Sequence, residues 1–132
     1  MSAKREVIAP PVPGLDATRN FNKPQSMVVR GGEFVFVAGL TAIDPKTGAR
    51  APGNTAQETH QILANMQALL EGAGSSMAKV VKVNVLLASM LEAPNMNEVY
   101  ARFFPDPPPA RTVCGAHLPD GVRVMIECTA LA

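Results

Sequence analysis

The stretch TAQETHQILANMQALLEGAG (55–74), followed after SSMA by KVVKVNVLLASM (79–90), decides the fold class. In the first segment Ile62, Met66, Leu69 and Leu70 recur at helical spacing and form one apolar stripe. Thr55 with Glu58 spells a capping box at its start, and Gly72 and Gly74 stop it. The second segment is rich in β-branched residues and predicts the central strand of a sheet. A helix with one apolar stripe has to bury it, and a neighbouring sheet is the natural place.

Working outward, GGEFVFVAGL (31–40) reads as a strand built on Phe34, Val35, Phe36 and Val37. SMVVR (26–30) is its hairpin partner, turned at Gly31-Gly32, and DPKTG (44–48) is a turn. Residues 1–24 hold many Pro and Gly and predict an extended arm. Downstream, EAPNMNEVYARFFP (92–105) predicts a second helix. Pro94 suits its first turn, Pro105 stops it, and Met96, Val99, Tyr100 and Phe103 form its inward face. Strands over 110–116 and 122–131, joined by LPDG, close the chain. The expected fold is a single α+β domain over 1–132: one mixed β-sheet of about six strands with two helices packed on one face. On the predicted central strand Val81, Val83 and Val85 alternate with Val80, Lys82, Asn84 and Leu86. A sheet face that apolar predicts oligomerisation, sheet against sheet.

Composition narrows the function classes. The chain has 132 residues, a net charge of +1 and 47% hydrophobic residues. With no Lys/Arg cluster and few aromatics, a nucleic-acid surface is not expected. No apolar run approaches the roughly 20 residues needed to span a bilayer. The N-terminus lacks the apolar core of a signal peptide, so a cytoplasmic protein is expected. Cys114 and Cys128 read as buried thiols, and His60 and His117 lack metal-ligand spacing, so a metal site is not expected.

The closing stretch PPPARTVCGAHLPDGVRVMIECTALA (107–132) carries the candidate chemistry. Prolines hold the entry to the strand that presents Arg111, and a guanidinium fixed in this way can grip a carboxylate through two parallel hydrogen bonds. A surface arginine at a strand end is the plainer alternative. Period-2 counting puts Val122, Val124, Ile126, Cys128 and Ala130 on the core face, and Arg123, Met125, Glu127 and Thr129 on the other. Glu127 reads either as a general acid or base or as an exposed strand residue. Asn97, a poor helix former within the second helix, reads as a hydrogen-bonding or a solvated residue. His117 has no evident partner, and His60 is placed on the solvated side of the first helix.

Taken in order, GGEFVFVAGL, IDPKTG, AQETHQILANMQALLEGAG, VVKVNVLL, NEVYARFF, PPARTV and LPDGVRVMIE resemble the RidA (YjgF) family, the reactive intermediate deaminases. The resemblance runs from about residue 25 to the C-terminus. It implies a chorismate mutase-like fold, a homotrimer around a central barrel, and clefts between subunits. The implied activity is hydrolysis of a small enamine or imine carboxylate, such as 2-aminoacrylate, to a keto acid and ammonia without a cofactor. Arg111 matches the family's carboxylate-binding arginine, and Asn97 its cleft asparagine.

The departures are equally specific. The family's water-orienting glutamate comes seven residues after the leucine of the LP turn, and counting from Leu118 reaches Met125. Glu127 matches a second acidic position two residues on. Ala38 stands where serine is usual, Gln25 where tyrosine is usual, and Val113 where cysteine is usual, with Cys114 one place later. The segment from Arg111 to Leu118 is one residue shorter than in typical members, and a one-residue slip would exchange the faces of Val113 and Cys114. A thioether does not activate water, so a weak deaminase or a diverged reaction is expected. The rival readings are a non-catalytic binder of small carboxylates and a repurposed pathway enzyme using the same cleft.

Overall fold

The computed structural model describes residues 4–16, 20–119 and 121–132. Residues 17–19 of the expected arm and Asp120 of the LPDG turn lie outside them. The chain forms strands β1 (Arg5–Ile8), β2 (Val28–Gly31) and β3 (Phe34–Leu40), helix α1 (Thr55–Gly72), strand β4 (Val80–Leu87), helix α2 (Ala93–Tyr100), and strands β5 (Ala110–Gly115) and β6 (Val124–Leu131). All six strands make one mixed sheet in the order β1-β2-β3-β6-β4-β5. The α+β reading with two helices holds.

Several details differ from the sequence reading. The arm supplies a strand of its own: β1 pairs antiparallel with β2. β4 is not central. β6 inserts antiparallel between β3 and β4, and β4 instead holds the parallel edge strand β5 through the α2 crossover. The two closing strands are therefore not neighbours, because β4 lies between them. α2 is shorter than the periodicity over 92–105 suggests: it covers Ala93–Tyr100, preceded by a 3-10 turn at Met90–Glu92. Around α1 the capping pair sits one residue earlier than expected. Asn54 Oδ1 accepts from the Gln57 amide at 2.8 Å, and Gln57 Oε1 accepts from the Asn54 amide at 2.9 Å. Two amides satisfy the orphan donors as Thr and Glu would have. This frees Glu58 to turn inward, where it accepts from the Arg123 amide at 3.1 Å and ties α1 to the entry of β6.

The core lies between one sheet face and the helices. Val35, Val37, Val83, Val85, Leu87, Val124 and Ile126 are buried against Ile62, Leu63, Met66, Leu70 and Met96. The alternation expected for the last strand holds: Val122, Val124, Ile126, Cys128 and Ala130 are buried, while Glu127 is exposed. Val83 and Val85 belong to this core, so the apolar character of the opposite face comes from elsewhere. There Phe34, Phe36 and Leu131 are exposed, and a β-bulge between Val80 and Lys82 turns Val81 outward. Cys128 is buried, but Cys114 is exposed and both are free thiols. The expected burial of Cys114 fails because β5 is an edge strand.

Candidate functional site

The βαβ unit β4-α2-β5 brings Arg111 against α2. Arg111 pairs with Val83, a core-face residue, so its side chain rises on the helical side of the sheet. Its Nη1 donates to Asn97 Oδ1 at 2.7 Å, and Cζ lies 4.7 Å from the centroid of the Tyr100 ring. Tyr100 is itself wedged against Phe104, with ring centroids 4.6 Å apart. The aromatic face and the amide fix the guanidinium plane while leaving most of its five N–H groups for another acceptor. Arg111 forms no ion pair among the described residues. The surrounding cleft, of about 490 Å³, is lined by Asn97, Tyr100, Ala101, Phe104, Asp106, Pro108, Pro109 and Arg111.

Burial pushes the Tyr100 hydroxyl up to about 12, against the opposing pull of the Arg111 cation. That hydroxyl is buried with no hydrogen-bond partner among the described residues. Tyr100 therefore stays neutral at ordinary pH and contributes its ring rather than its proton.

A second group of the expected residues meets elsewhere. Between Val37 and Leu40 the pairing of β3 with β6 shifts, so Ala38 and Gly39 together oppose Glu127. Such bulges re-aim side chains. Met125 occupies the opening: its Sδ would lie 2.9 Å from a Cβ placed on Gly39. Ala38 is half-buried and its amide donates to the Met27 carbonyl at 2.9 Å. Gln25 Nε2 lies 3.8 Å from Met27 Sδ. Gln25, Gly39 and Met125 line a cavity of about 100 Å³ with Met27, Leu40 and Leu69. It shares no lining residue with the Arg111 cleft.

Glu127 does not join Arg111 within one subunit. It pairs with Asn84, on the face away from the helices, and accepts from Asn84 Nδ2 at 3.0 Å. Lys82 Nζ to Thr112 Oγ1, at 2.8 Å, continues this polar row across β4 and β5. The β4–β5 pairing runs unbroken from Ala110 to Gly115. Val113 therefore shares the face of Arg111, while Cys114 points the other way beside Leu86. His117 is exposed, whereas His60 is not simply solvated: its ring meets Phe103 edge-on at 5.3 Å.

Sequence reasoning missed the role of the arm. Leu15, Phe21 and Lys23 wall the cavity beside Met125, and Leu15 reaches the core from a 3-10 turn. Leu15 stands alone among prolines and glycine, with no periodic neighbour to flag it as buried.

The architecture is a two-layer α+β fold with an arginine-centred cleft between α2 and β5. Comparison with known proteins makes this specific. The profile of the Endoribonuclease L-PSP family, which includes the YjgF and RidA proteins, matches residues 17–132, and the chain belongs to this family. It is 43% identical over 108 residues to a RutC family protein of Pyrococcus horikoshii, covering 81% of this chain and 86% of that one. It is 37% identical over 109 residues to the mouse 2-iminobutanoate/2-iminopropanoate deaminase, covering 82% and 81% of the two chains. The crystal structure of an endoribonuclease L-PSP-type protein from Entamoeba histolytica superposes with a TM-score of 0.86 at 34% identity, over 98% of this chain and 100% of that one.

Proposed function

We propose that this protein hydrolyses small 2-imino or 2-enamino carboxylates, slowly compared with a relative that has a carboxylate at position 125. The observation that carries the reading is the Arg111 guanidinium, oriented by Asn97 and Tyr100 in an open cleft and in no ion pair among the described residues. A planar fork held in this way takes a carboxylate through two charge-assisted bonds. Support also comes from relatives named for this deaminase activity.

In the reaction an enamine first tautomerises to the imine, water adds at C2, and the carbon–nitrogen bond breaks to give a keto acid and ammonia. Arg111 holds the carboxylate next to C2, and Asn97 keeps the guanidinium in register. Met125, a weak acceptor with no proton chemistry, supplies no base for the water. A positioned general base contributes about 10²–10⁴-fold, and that is the expected deficit. The site is completed between subunits of a homotrimer: the Arg111 cleft of one chain faces the Gln25–Ala38–Met125 wall of the next. The exposed Phe34, Phe36 and Leu131 supply the apolar contact for that assembly.

The test is ammonia release from 2-aminoacrylate generated in situ. Turnover above the buffer rate that vanishes in Arg111→Ala supports the reading. A rate equal to buffer removes it.

The methionine itself favours a second reading, a binder of small 2-keto carboxylates without turnover. Calorimetry separates the two. Binding that depends on Arg111 in a protein with no measurable turnover identifies the binder, and equal binding by wild type and Arg111→Ala removes the anchoring role from both.

A further inference from the structure

We propose that the Arg111 cleft selects 2-imino and 2-oxo acids whose side chain ends in a cation, and that Asp106 is the residue that recognises this second charge. The proposal rests on Arg111 as the carboxylate anchor and adds what the rest of that same site selects.

The cleft is larger than a three-carbon acid requires. Its volume is about 490 Å³, and clefts of roughly 300–1,000 Å³ take drug-sized ligands. A carboxylate on Arg111 therefore leaves room for a side chain. The wall beside it is apolar and stiff. Tyr100 and Phe104 are both buried, their ring centroids lie 4.6 Å apart, and Pro108 and Pro109 line the cleft with them. Prolines fix their own backbone. An alkyl chain lying along this wall is removed from water. A terminal guanidinium or ammonium gains from the aromatic faces as well.

Asp106 supplies the opposite charge. It is the only acidic residue on the described lining, and it is exposed. It forms no ion pair among the described residues, so Arg111 does not neutralise it although both line one cleft. Pro107, Pro108 and Pro109 lie between the two and restrict the backbone there, which keeps the charges from collapsing onto each other. One anchor of each sign in one cleft fits a ligand that carries both charges, a carboxylate for Arg111 and a cation at the far end for Asp106. An acidic tail would meet Asp106 with the wrong sign. A neutral tail would use only the apolar wall.

The experiment is calorimetry of the whole protein with pyruvate, 2-oxohexanoate, 2-oxopentanedioate and 5-guanidino-2-oxopentanoate. All share the anchored end and differ in the tail. The apolar wall should make 2-oxohexanoate bind several-fold tighter than pyruvate. The guanidino acid should bind about fivefold tighter than 2-oxohexanoate, the scale of a solvent-accessible ion pair. The acidic tail of 2-oxopentanedioate should make it the weakest of the long acids. In Asp106→Asn, a conservative change at an exposed position, the guanidino acid and 2-oxohexanoate should become equal and 2-oxopentanedioate should strengthen. Added salt should shrink the guanidino preference in the wild type and leave the variant's ratio as it is. Equal affinities for these two acids in the wild type, or a preference that survives in Asp106→Asn, would overturn the proposal and leave the anchoring role of Arg111 standing. Absence of binding by all the acids, or binding unchanged in Arg111→Ala, would instead remove the anchor, and this proposal with it.

Discussion

The guanidinium of Arg111 lies over the ring of Tyr100, 4.7 Å from its centroid, while its Nη1 donates to Asn97 at 2.7 Å. One contact sets the plane of the fork and the other sets its rotation. The result is a cation ordered before any ligand arrives, which lowers the ordering cost of binding.

Separate losses follow for the two partners. Arg111→Ala removes the charged fork and should weaken binding of a small 2-keto acid about 100-fold. Asn97→Ala leaves the charge and removes one orienting bond, so about a 5- to 10-fold loss is expected. Calorimetry on the two variants checks the order.

Met125→Glu returns a carboxylate to the end of the β3 bulge. If Met125 stands where a water-activating acid belongs, hydrolysis of 2-aminoacrylate should rise at least tenfold within the about 10²–10⁴-fold span of a positioned base. Initial rates with and without the substitution decide this. An unchanged rate in a folded variant would show that position 125 lies away from the reacting carbon.

Tyr100→Phe keeps the ring beneath Arg111 and removes a buried hydroxyl that has no partner among the described residues. Stability should be unchanged or higher by about 1 kcal/mol, because an unpaired buried donor is a burden. The alkaline behaviour gives a second readout. Burial raises Tyr100 from 10.0 to about 12, and burial with the neighbouring Glu127 carboxylate raises Cys128 from 9.0 to about 12. Both groups stay protonated in the folded chain while the unfolded chain loses its protons. The unfolded state then binds fewer protons, so stability is full below pH 9.0 and falls as pH rises toward about 12. Urea midpoints across the alkaline range should show this fall, and Tyr100→Phe should make it shallower.

Two glycines should respond differently to alanine. A Cβ on Gly14 would clash with the Pro45 carbonyl oxygen, a backbone contact that cannot yield locally. Gly14→Ala should cost about 3 kcal/mol or more. A Cβ on Gly39 would meet the Met125 thioether, which can swing away, so Gly39→Ala should cost nearer 1 kcal/mol. Thermal melts of the two variants test the ranking.

The local elements were legible in the sequence because periodicity reports burial directly. The stripe of Ile62, Met66, Leu69 and Leu70 and the alternation from Val122 to Ala130 both describe faces that the fold buries. Strand order was not legible. β6 lies between β3 and β4 through contacts distant in sequence, and the β-branched run of β4 looks the same one place from the edge as at the centre. The cap moved by one residue because Asn54 with Gln57 and Thr55 with Glu58 are both competent pairs, and the need of the Arg123 amide for an acceptor claimed Glu58. Residue type singled out Arg111 and Asn97, the family resemblance put both in one cleft, and Arg111 Nη1 donates to Asn97 Oδ1 in the structure. Period-2 counting put Glu127 on the face away from the core, and the sheet places it there, on the side opposite Arg111 within one subunit. The arm's wall of Leu15 and Phe21 had no periodic signal to reveal it.

The most direct test of the account is the rate of 2-aminoacrylate hydrolysis by the wild-type protein beside Arg111→Ala. The account predicts ammonia release above the buffer rate for wild type and at the buffer rate for the variant. Wild-type release indistinguishable from buffer, or equal release by both proteins, would contradict it.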